Sequence, residues 1–254
     1  MATTEDTAKH VFGARAAFYT SSAAHTDPQV LARVVECAAP AANWSALDIA
    51  TGTGHTAFAL APHVASVIAT DLTRQMLAEA VRLRQTQHVD NVAFAASDVH
   101  HLPFPDGAFA LVTCRRAAHH FSAIMRALSE MHRVLQPGGR LVIDDRTIPE
   151  DDFLDACMNT LDRYHDPSHV RQYRLSEWQA MLAASSFRLD VAEPYERHRP
   201  LSVFTHGVDA GTVARIEALL ASLSAVQRAA LNLTDVAGEP HLTHWYVLLA
   251  ATRI

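Results

Sequence analysis

A chain of 254 residues with 49% apolar and 19% charged residues can bury a full α/β core, and its formal charge of −6 offers no basic face to nucleic acid or an anionic membrane. Lys9 is the only lysine, which excludes a P-loop, a pyridoxal Schiff base and a Tyr-x-x-x-Lys oxidoreductase site in the body of the fold. Cys37, Cys114 and Cys157 share no CxxC spacing, no stretch has the apolar length of a membrane span, and residues 1–10 lack a signal-peptide core, so a cytoplasmic protein with reduced thiols is expected.

Residues 1–45 read as a helical preamble. Phe12, Ala16 and Tyr19 share one helical face, and Asp27-Pro28 reads as a cap and first-turn proline before a second amphipathic helix ending at Pro40. Such a pair either packs on the sheet edge or closes over a ligand as a lid. A first strand, Ala46–Ala50, runs into a glycine turn and a short helix, His55–Ala61. A second strand, Ser66–Thr70, ends in Asp71, and Thr73 is placed to cap a helix carrying Met76, Leu77, Ala80 and Val81. The third strand, Val92–Ala96, ends in Ser97-Asp98. The fourth, Phe109–Thr113, leads through Arg115 to a helix capped by Ser122 that carries Ile124, Leu128, Met131 and Leu135 and stops at Pro137-Gly138-Gly139. A fifth strand spans Arg140–Asp144.

Beyond Pro149 a helix is expected over Phe153–Tyr164, then a polar turn, His165-Asp166-Pro167-Ser168-His169. Ser176 is placed to cap a helix over Trp178–Ala184. Strand six is read at Arg188–Glu193, helices at 209–221 and 224–231, and a closing strand at Thr243–Ala250. Without a linker or an internal repeat, one domain is expected: a cap (1–45), a core (46–148) and an acceptor-side insertion with closing strands (149–254).

Strands and helices alternating at short spacing indicate an α/β, doubly wound, mostly parallel sheet, whose ligand lies outside the carboxyl ends of the strands. Asp48, Asp71, Asp98 and the Arg115 loop each end or follow a strand, so four consecutive strands deliver polar side chains to one edge. The turn Asp48-Ile49-Ala50-Thr51-Gly52-Thr53-Gly54 lets backbone approach a nucleoside-containing cofactor at a helix N-terminus. Taken alone it also fits G-x-G-x-x-A with Asp71 19 residues beyond Gly52, the pattern of an NAD-dependent oxidoreductase.

Four stretches separate these readings: Leu47 to Gly54, Ala69-Thr70-Asp71, Ala96-Ser97-Asp98 with Leu102-Pro103-Phe104-Pro105-Asp106, and Val134 through Leu141. In this order and spacing the chain resembles the class I S-adenosylmethionine-dependent methyltransferases, in the form of the quinone-biosynthesis-type small-molecule branch. The resemblance covers about residues 10–145; Asp166 to Met181 is similar to a less characterised bacterial group within that branch. It implies a Rossmann-like methyltransferase fold with seven strands, an N-terminal helical lid and a helical insertion after strand five.

It also implies roles. Asp48 orients the methionine amino group, Gly52 and Gly54 admit the ligand, Asp71 accepts both ribose hydroxyls, and Asp98 accepts from the adenine amino group with Val99 on the ring. Tyr19, Leu72, Met76, Ser97 and Arg115 complete the implied cofactor contacts. The family's turn has glycine where this chain has Ala50, a replacement that quinone-type members tolerate.

The implied reaction transfers a methyl group in line to a small-molecule acceptor. The alternatives are the oxidoreductase reading and a non-catalytic S-adenosylmethionine-binding protein. His119-His120, after strand four, is either a helix-start pair or the source of a general base. His165, His169 and Arg171 are candidates for the acceptor pocket, Arg171 alternatively belonging with Arg174 to a solvated face. No HxxxH or HExxH spacing supports a metal, and none is expected. Acceptor identity and oligomeric state are not legible.

Overall fold

In the computed structural model, which describes residues 3–254, the alternation becomes one mixed sheet. Met1 and Ala2, within the expected cap, lie outside the described residues. In chain order, three helices, α1 (Thr4–Ser21), α2 (Ala23–Thr26) and α3 (Pro28–Ala38), precede β1 (Ser45–Ile49). Then come α4 (His55–Leu60), β2 (Ser66–Asp71), α5 (Arg74–Gln87), β3 (Val92–Ala96), β4 (Phe109–Arg115), α6 (Ile124–Val134) and β5 (Leu135–Ile148). The remainder is α7 (Asp152–His165), β6 (Tyr173–Arg174), α8 (Leu175–Ala184), β7 (Phe187–Pro200), α9 (Ser202–Thr205), α10 (Ala210–Ala221), α11 (Ala225–Ala230), β8 (Thr234–Val236) and β9 (Glu239–Arg253).

The main path runs β3-β2-β1-β4-β5-β9-β7, parallel from β3 to β5, with β9 antiparallel to both neighbours. The period of two along each strand divides the core between two layers. Leu47 and Ile49 of β1 pack with Leu128 and Met131 of α6 and Trp178 of α8. Ala46, on the other face, joins Val34 and Cys37 of α3 and Phe58 and Leu60 of α4. Helices on both faces make the sheet doubly wound. The three cysteines are buried and free.

Several boundaries differ from the expectation. The sheet has nine strands, not seven, because the short β6 and β8 pair onto β5 and β9. Helix α6 ends at Val134, so Leu135 opens β5 rather than completing the helical stripe, and Pro137-Gly138-Gly139 lies inside a strand whose register against β4 shifts there. Strands β7 and β9 extend well past their apolar centres as a paired arm, Tyr195–Pro200 against His241–Tyr246. The helical material is therefore divided. Helix α7 follows β5, while α9, α10 and α11 lie within the β7–β9 connection, and the two parts share a cluster around Met158, Phe204, Ile216 and Leu220.

Two expected caps act otherwise. The Ser122 hydroxyl donates to Glu5 of α1 instead of starting α6, and Ser176 bonds Glu150 while Arg174 occupies the N-cap of α8. Thr73 does hold the N-cap of α5, but its hydroxyl caps nothing; Asp71 Oδ1 accepts the Thr73 N–H at 2.8 Å. Asp27 behaves as expected, accepting from the backbone of Gln29 and Val30 ahead of Pro28.

Candidate active site

The carboxyl ends of β1, β2, β3 and β4 open into one cavity of roughly 1040 Å³ including its mouth. Asp48, Asp71, Asp98 and Arg115 all line it, as do Ala50, Gly52, Leu72, Met76, Ser97 and Val99. Helix α1 covers one side with Glu5, Ala8, Phe12 and Tyr19.

Asp48 sits at the centre of the sheet edge, 1% exposed, between Thr51 Oγ1 donating at 2.5 Å and Thr113 Oγ1 donating at 2.6 Å. Burial raises its carboxyl to about 6, partly offset by these two hydroxyls. Asp71 ends β2, and burial raises it too; its oxygens accept the N–H groups of Gly52 and Thr73, each at 2.8 Å. Its carboxylate thereby braces the glycine turn as well as facing the cavity. Asp98 Oδ1 is oriented by His100, whose Nδ1 lies at 2.7 Å. His100 Nε2 accepts the Ala123 N–H at 3.3 Å, so Nδ1 carries the proton toward Asp98.

The turn separates its two glycines. A Cβ on Gly52, at φ +56°, would meet no protein atom within 4 Å, leaving an open cradle on the cavity wall. A Cβ on Gly54, at φ +94°, would stand 2.8 Å from the Phe58 ring. Gly54 does not line the cavity, and its absent side chain serves the packing of α4 rather than ligand approach. Ala50 carries φ 51°, a left-handed conformation that costs a non-glycine residue about 1–2 kcal/mol. The turn accepts the methyl group in this left-handed position.

Two arginines reach the cavity wall, Arg116, which is paired with Asp144, and Arg115. Arg115 Nε donates to Thr56 Oγ1 at 2.9 Å and its Nη2 to the His25 carbonyl at 2.7 Å, while Nη1 is buried without a partner among the described residues. Such a nitrogen is costly to leave unpaired and suits an anionic group of a bound ligand. The carbonyl of Tyr19 accepts from Thr53 Oγ1 at 3.4 Å and the His55 ring at 3.3 Å. The N-terminal helices are thus tied to the glycine turn itself.

The histidine pair occupies a 3-10 turn, Ala118–His120, after β4. His120 lines the cavity, with its ring edge-on to Phe12 at 4.9 Å between centroids. His119 does not line it: Nδ1 is 2.5 Å from Asp145 Oδ1, and Asp145 Oδ2 accepts its backbone N–H at 2.9 Å. Burial holds the His119 imidazole well below its ordinary value and raises Asp145 to about 6. His119 braces its turn, and of this pair only His120 is placed to meet a ligand.

The structure places the acceptor-side candidates away from this cavity. His165 Nδ1 is bound to the Phe204 carbonyl at 3.0 Å, and His169 Nε2 to Asn159 Oδ1 at 2.9 Å, its imidazole pushed down to about 2 by burial. Arg171 is held by Asp155 and Glu177. None of the three lines the cavity. Reasoning from sequence missed Glu5, His25, His55, Thr56, His100 and Phe121, all on its wall. The spacing of Glu5, Ala8, Phe12 and Tyr19 along one helical face was the available signal for the first of these.

Among the described residues, no cluster of three or more His, Cys, Asp or Glu could hold a metal, and no helix is long and apolar enough to cross a membrane.

Comparison with known proteins agrees with this geometry. Residues 47–143 match a methyltransferase-domain family. The uncharacterised methyltransferase YcgJ of Bacillus subtilis is 41% identical over 174 residues, 68% of this chain and 69% of that protein. The YcgJ crystal structure superposes with a TM-score of 0.82, covering 88% of this chain and 97% of that one, and BH2331 of Bacillus halodurans with 0.84, covering 88% and 98% at 30% identity. A demethylmenaquinone methyltransferase of Thermus thermophilus is 42% identical over 113 residues, 44% of this chain; the chain spans about half of that protein, 51%. The dinucleotide reading of the glycine turn gives way. With an open cradle at Gly52, a carboxylate at the end of each of three strands and an unpaired guanidinium nitrogen at the end of the fourth, the chain belongs to the S-adenosylmethionine-dependent methyltransferases.

Proposed function

We propose that this methyltransferase acts on a small, largely apolar acceptor that loses a proton as it is methylated, and that His120 takes that proton. The observation that carries the reading is the His120 ring on the wall of the cavity that holds Asp48, Asp71, Asp98 and Arg115. S-adenosylmethionine supplies a methyl group already activated on a sulfonium. The protein's work is to align the partners and keep water out.

Asp71 takes the ribose hydroxyls, and Asp98 with Val99 the adenine. Asp48 takes the methionine amino group, and the free Nη1 of Arg115 its carboxylate. Helix α1 is the lid. Ala8, Phe12, Tyr19, Ala117 and Phe121 give the cavity an apolar lining beyond the cofactor residues. The Tyr19 phenol, raised to about 12 by burial, stays protonated and hydrogen-bonds without acting as a base. As the acceptor's nucleophilic atom bonds to the methyl carbon, the carbon–sulfur bond breaks with its electron pair left on the sulfur of S-adenosylhomocysteine, and the acceptor's proton passes to His120 and from there to solvent.

The test is turnover of S-adenosylmethionine to S-adenosylhomocysteine with a panel of phenols and hydroquinones. His120→Asn should lower kcat by about 10²-fold or more while calorimetric affinity for S-adenosylhomocysteine stays within about threefold. His119→Asn should instead lower Tm. Wild-type turnover by His120→Asn would remove the base assignment.

A further inference from the structure

The protonation of His120 is set by a segment that does not touch the cavity. After α7 the chain turns through Asp166-Pro167-Ser168-His169 and returns to the histidine turn, where the His119 carbonyl accepts from Val170 N at 2.9 Å and Arg171 N at 3.1 Å. This places Ser168, fully buried, against the His120 ring: its carbonyl oxygen is 3.2 Å and its hydroxyl oxygen 3.1 Å from Nδ1.

The hydroxyl hydrogen is already committed. Ser168 Oγ lies 2.6 Å from Asp166 Oδ1, which also accepts the Ser168 N–H at 2.8 Å, and an ionised carboxylate only accepts. Nδ1 therefore faces two oxygens with no hydrogen to offer it. It must carry the proton itself, which leaves the lone pair on Nε2, bonded to none of the described residues.

The surrounding groups do not compete. The His119 ring, 4.1 Å away, is held by Asp145. The His169 ring, 6.3 Å away, donates to Asn159 Oδ1, which also accepts from Gln172 N. Phe12 covers the remaining side.

Building on the reading of His120 as base, we infer that Asp166 and Ser168 are its positioning residues: they fix the Nδ1–H tautomer, leave Nε2 as the proton acceptor, and stabilise the imidazolium through the serine hydroxyl. Asp166 is 7% exposed, and His120 is among the groups that hold its carboxyl below the ordinary range against the opposing effect of burial.

Long-range proton–nitrogen correlation on protein labelled with ¹⁵N-histidine, saturated with S-adenosylhomocysteine, reads the tautomer directly, with His120 assigned by its loss in H120Q. Wild type should show the Nδ1–H pattern. In Asp166→Ala the Ser168 hydroxyl loses its acceptor, which frees its hydrogen to turn toward Nδ1 and drives the ring proton to Nε2. Turnover should then fall by about 10²–10⁴-fold with S-adenosylhomocysteine affinity within about threefold, by analogy with the tautomer-inverting Asp→Asn change in serine proteases. Removing the hydroxyl as well, in Asp166→Ala/Ser168→Ala, leaves only the carbonyl facing Nδ1 and should restore the Nδ1–H pattern and at least about tenfold of the lost turnover. An Nε2–H pattern in wild type, or an Asp166→Ala protein with both tautomer and turnover unchanged, overturns the positioning role while H120Q remains inactive. Full turnover by H120Q removes the base reading beneath it, a separate result.

Discussion

The two glycines of the turn look equivalent in the sequence and should fail differently when given a methyl group. At Gly54 the new Cβ would lie 2.8 Å from two atoms of the Phe58 ring and 3.4 Å from Ala80 Cβ, at φ +94°. The left-handed backbone costs alanine about 1–2 kcal/mol, and overpacking against a ring costs about 1–3 kcal/mol. Phe58 is 8% exposed and edge-on to Phe94, so it has little room to yield. Gly54→Ala should therefore lose about 2–5 kcal/mol, a fall in Tm of roughly 5–15 °C for a chain of this size. Gly52→Ala bears only the backbone cost, a fall of roughly 2–6 °C, because its Cβ would meet no protein atom within 4 Å. That Cβ enters the space the ligand needs, and about 3 kcal/mol of overpacking there corresponds to roughly 10²-fold weaker S-adenosylhomocysteine binding. Thermal unfolding and titration calorimetry measure both quantities on each variant. Phe58→Leu should recover part of the Gly54→Ala loss and none of the Gly52→Ala loss. A Gly54→Ala protein melting within about 2 °C of wild type, or a Gly52→Ala protein binding like wild type, would refute this division of roles.

Arg115→Met should weaken S-adenosylhomocysteine by about 10²-fold with no comparable loss for adenosine, which lacks the carboxylate that Nη1 is placed to meet; equal losses for both would show that Arg115 acts through the fold. Asp48 has an ordinary value of 3.8 and is raised to about 6 in the fold, so its ionised form opposes folding; the contribution is absent below 3.8 and fully developed above 6. Asp48→Asn should accordingly raise Tm of the cofactor-free protein at pH 8, with the gain shrinking toward pH 5 and cofactor binding lost; a lower Tm at pH 8 would contradict the sign. Asp144 binds Arg116 Nε at 3.0 Å and the Tyr195 hydroxyl at 2.6 Å, with the guanidinium 3.7 Å from the Tyr246 ring centroid. Asp144→Ala strands the buried cation and Arg116→Met the buried carboxylate, so each should cost about 3–5 kcal/mol in chemical denaturation, and Asp144→Ala/Arg116→Met, which leaves neither charge, should cost less than the two singles summed.

The cofactor half of the site was legible because its chemistry follows the backbone directly. In a parallel sheet the strand ends share an edge, so Asp48, Asp71, Asp98 and Arg115 had to converge once the strands were read. Lengths were less legible. The arm of β7 and β9 pairs through residues such as Arg197, His198 and His244 that carry no apolar alternation, and the Pro137-Gly138-Gly139 stop concealed the irregular start of β5. The direction of polar side chains was not legible at all. Arg171 looked free to bind an acceptor, but it is claimed by Asp155 and Glu177, 16 and 6 residues away, and that contact exists only after α7 and α8 pack. His120 and His119 are adjacent in sequence, yet one lines the cavity and the other is sealed behind it by Asp145, a residue of β5.

The same logic says where acceptor specificity resides. The family match over residues 47–143 contains every strand-end carboxylate, Arg115 and His120, but not α1, Asp166 or Ser168. Those outside residues supply the cavity's cap and, from 48 positions along the chain, the Ser168 oxygens that face His120 Nδ1. A relative that shares only the matched segment can share the methyl donor without sharing the cap or the Asp166–Ser168 pair. The match to a demethylmenaquinone methyltransferase spans 44% of this chain and 51% of that protein, so a shared acceptor does not follow from it. Exchanging α1 between this chain and such a relative should move acceptor preference and leave S-adenosylhomocysteine affinity nearly in place. An exchange that moves affinity instead would place the determinant in the ties from Thr53, His55 and Arg115 to the N-terminal helices, not in the cap's apolar face.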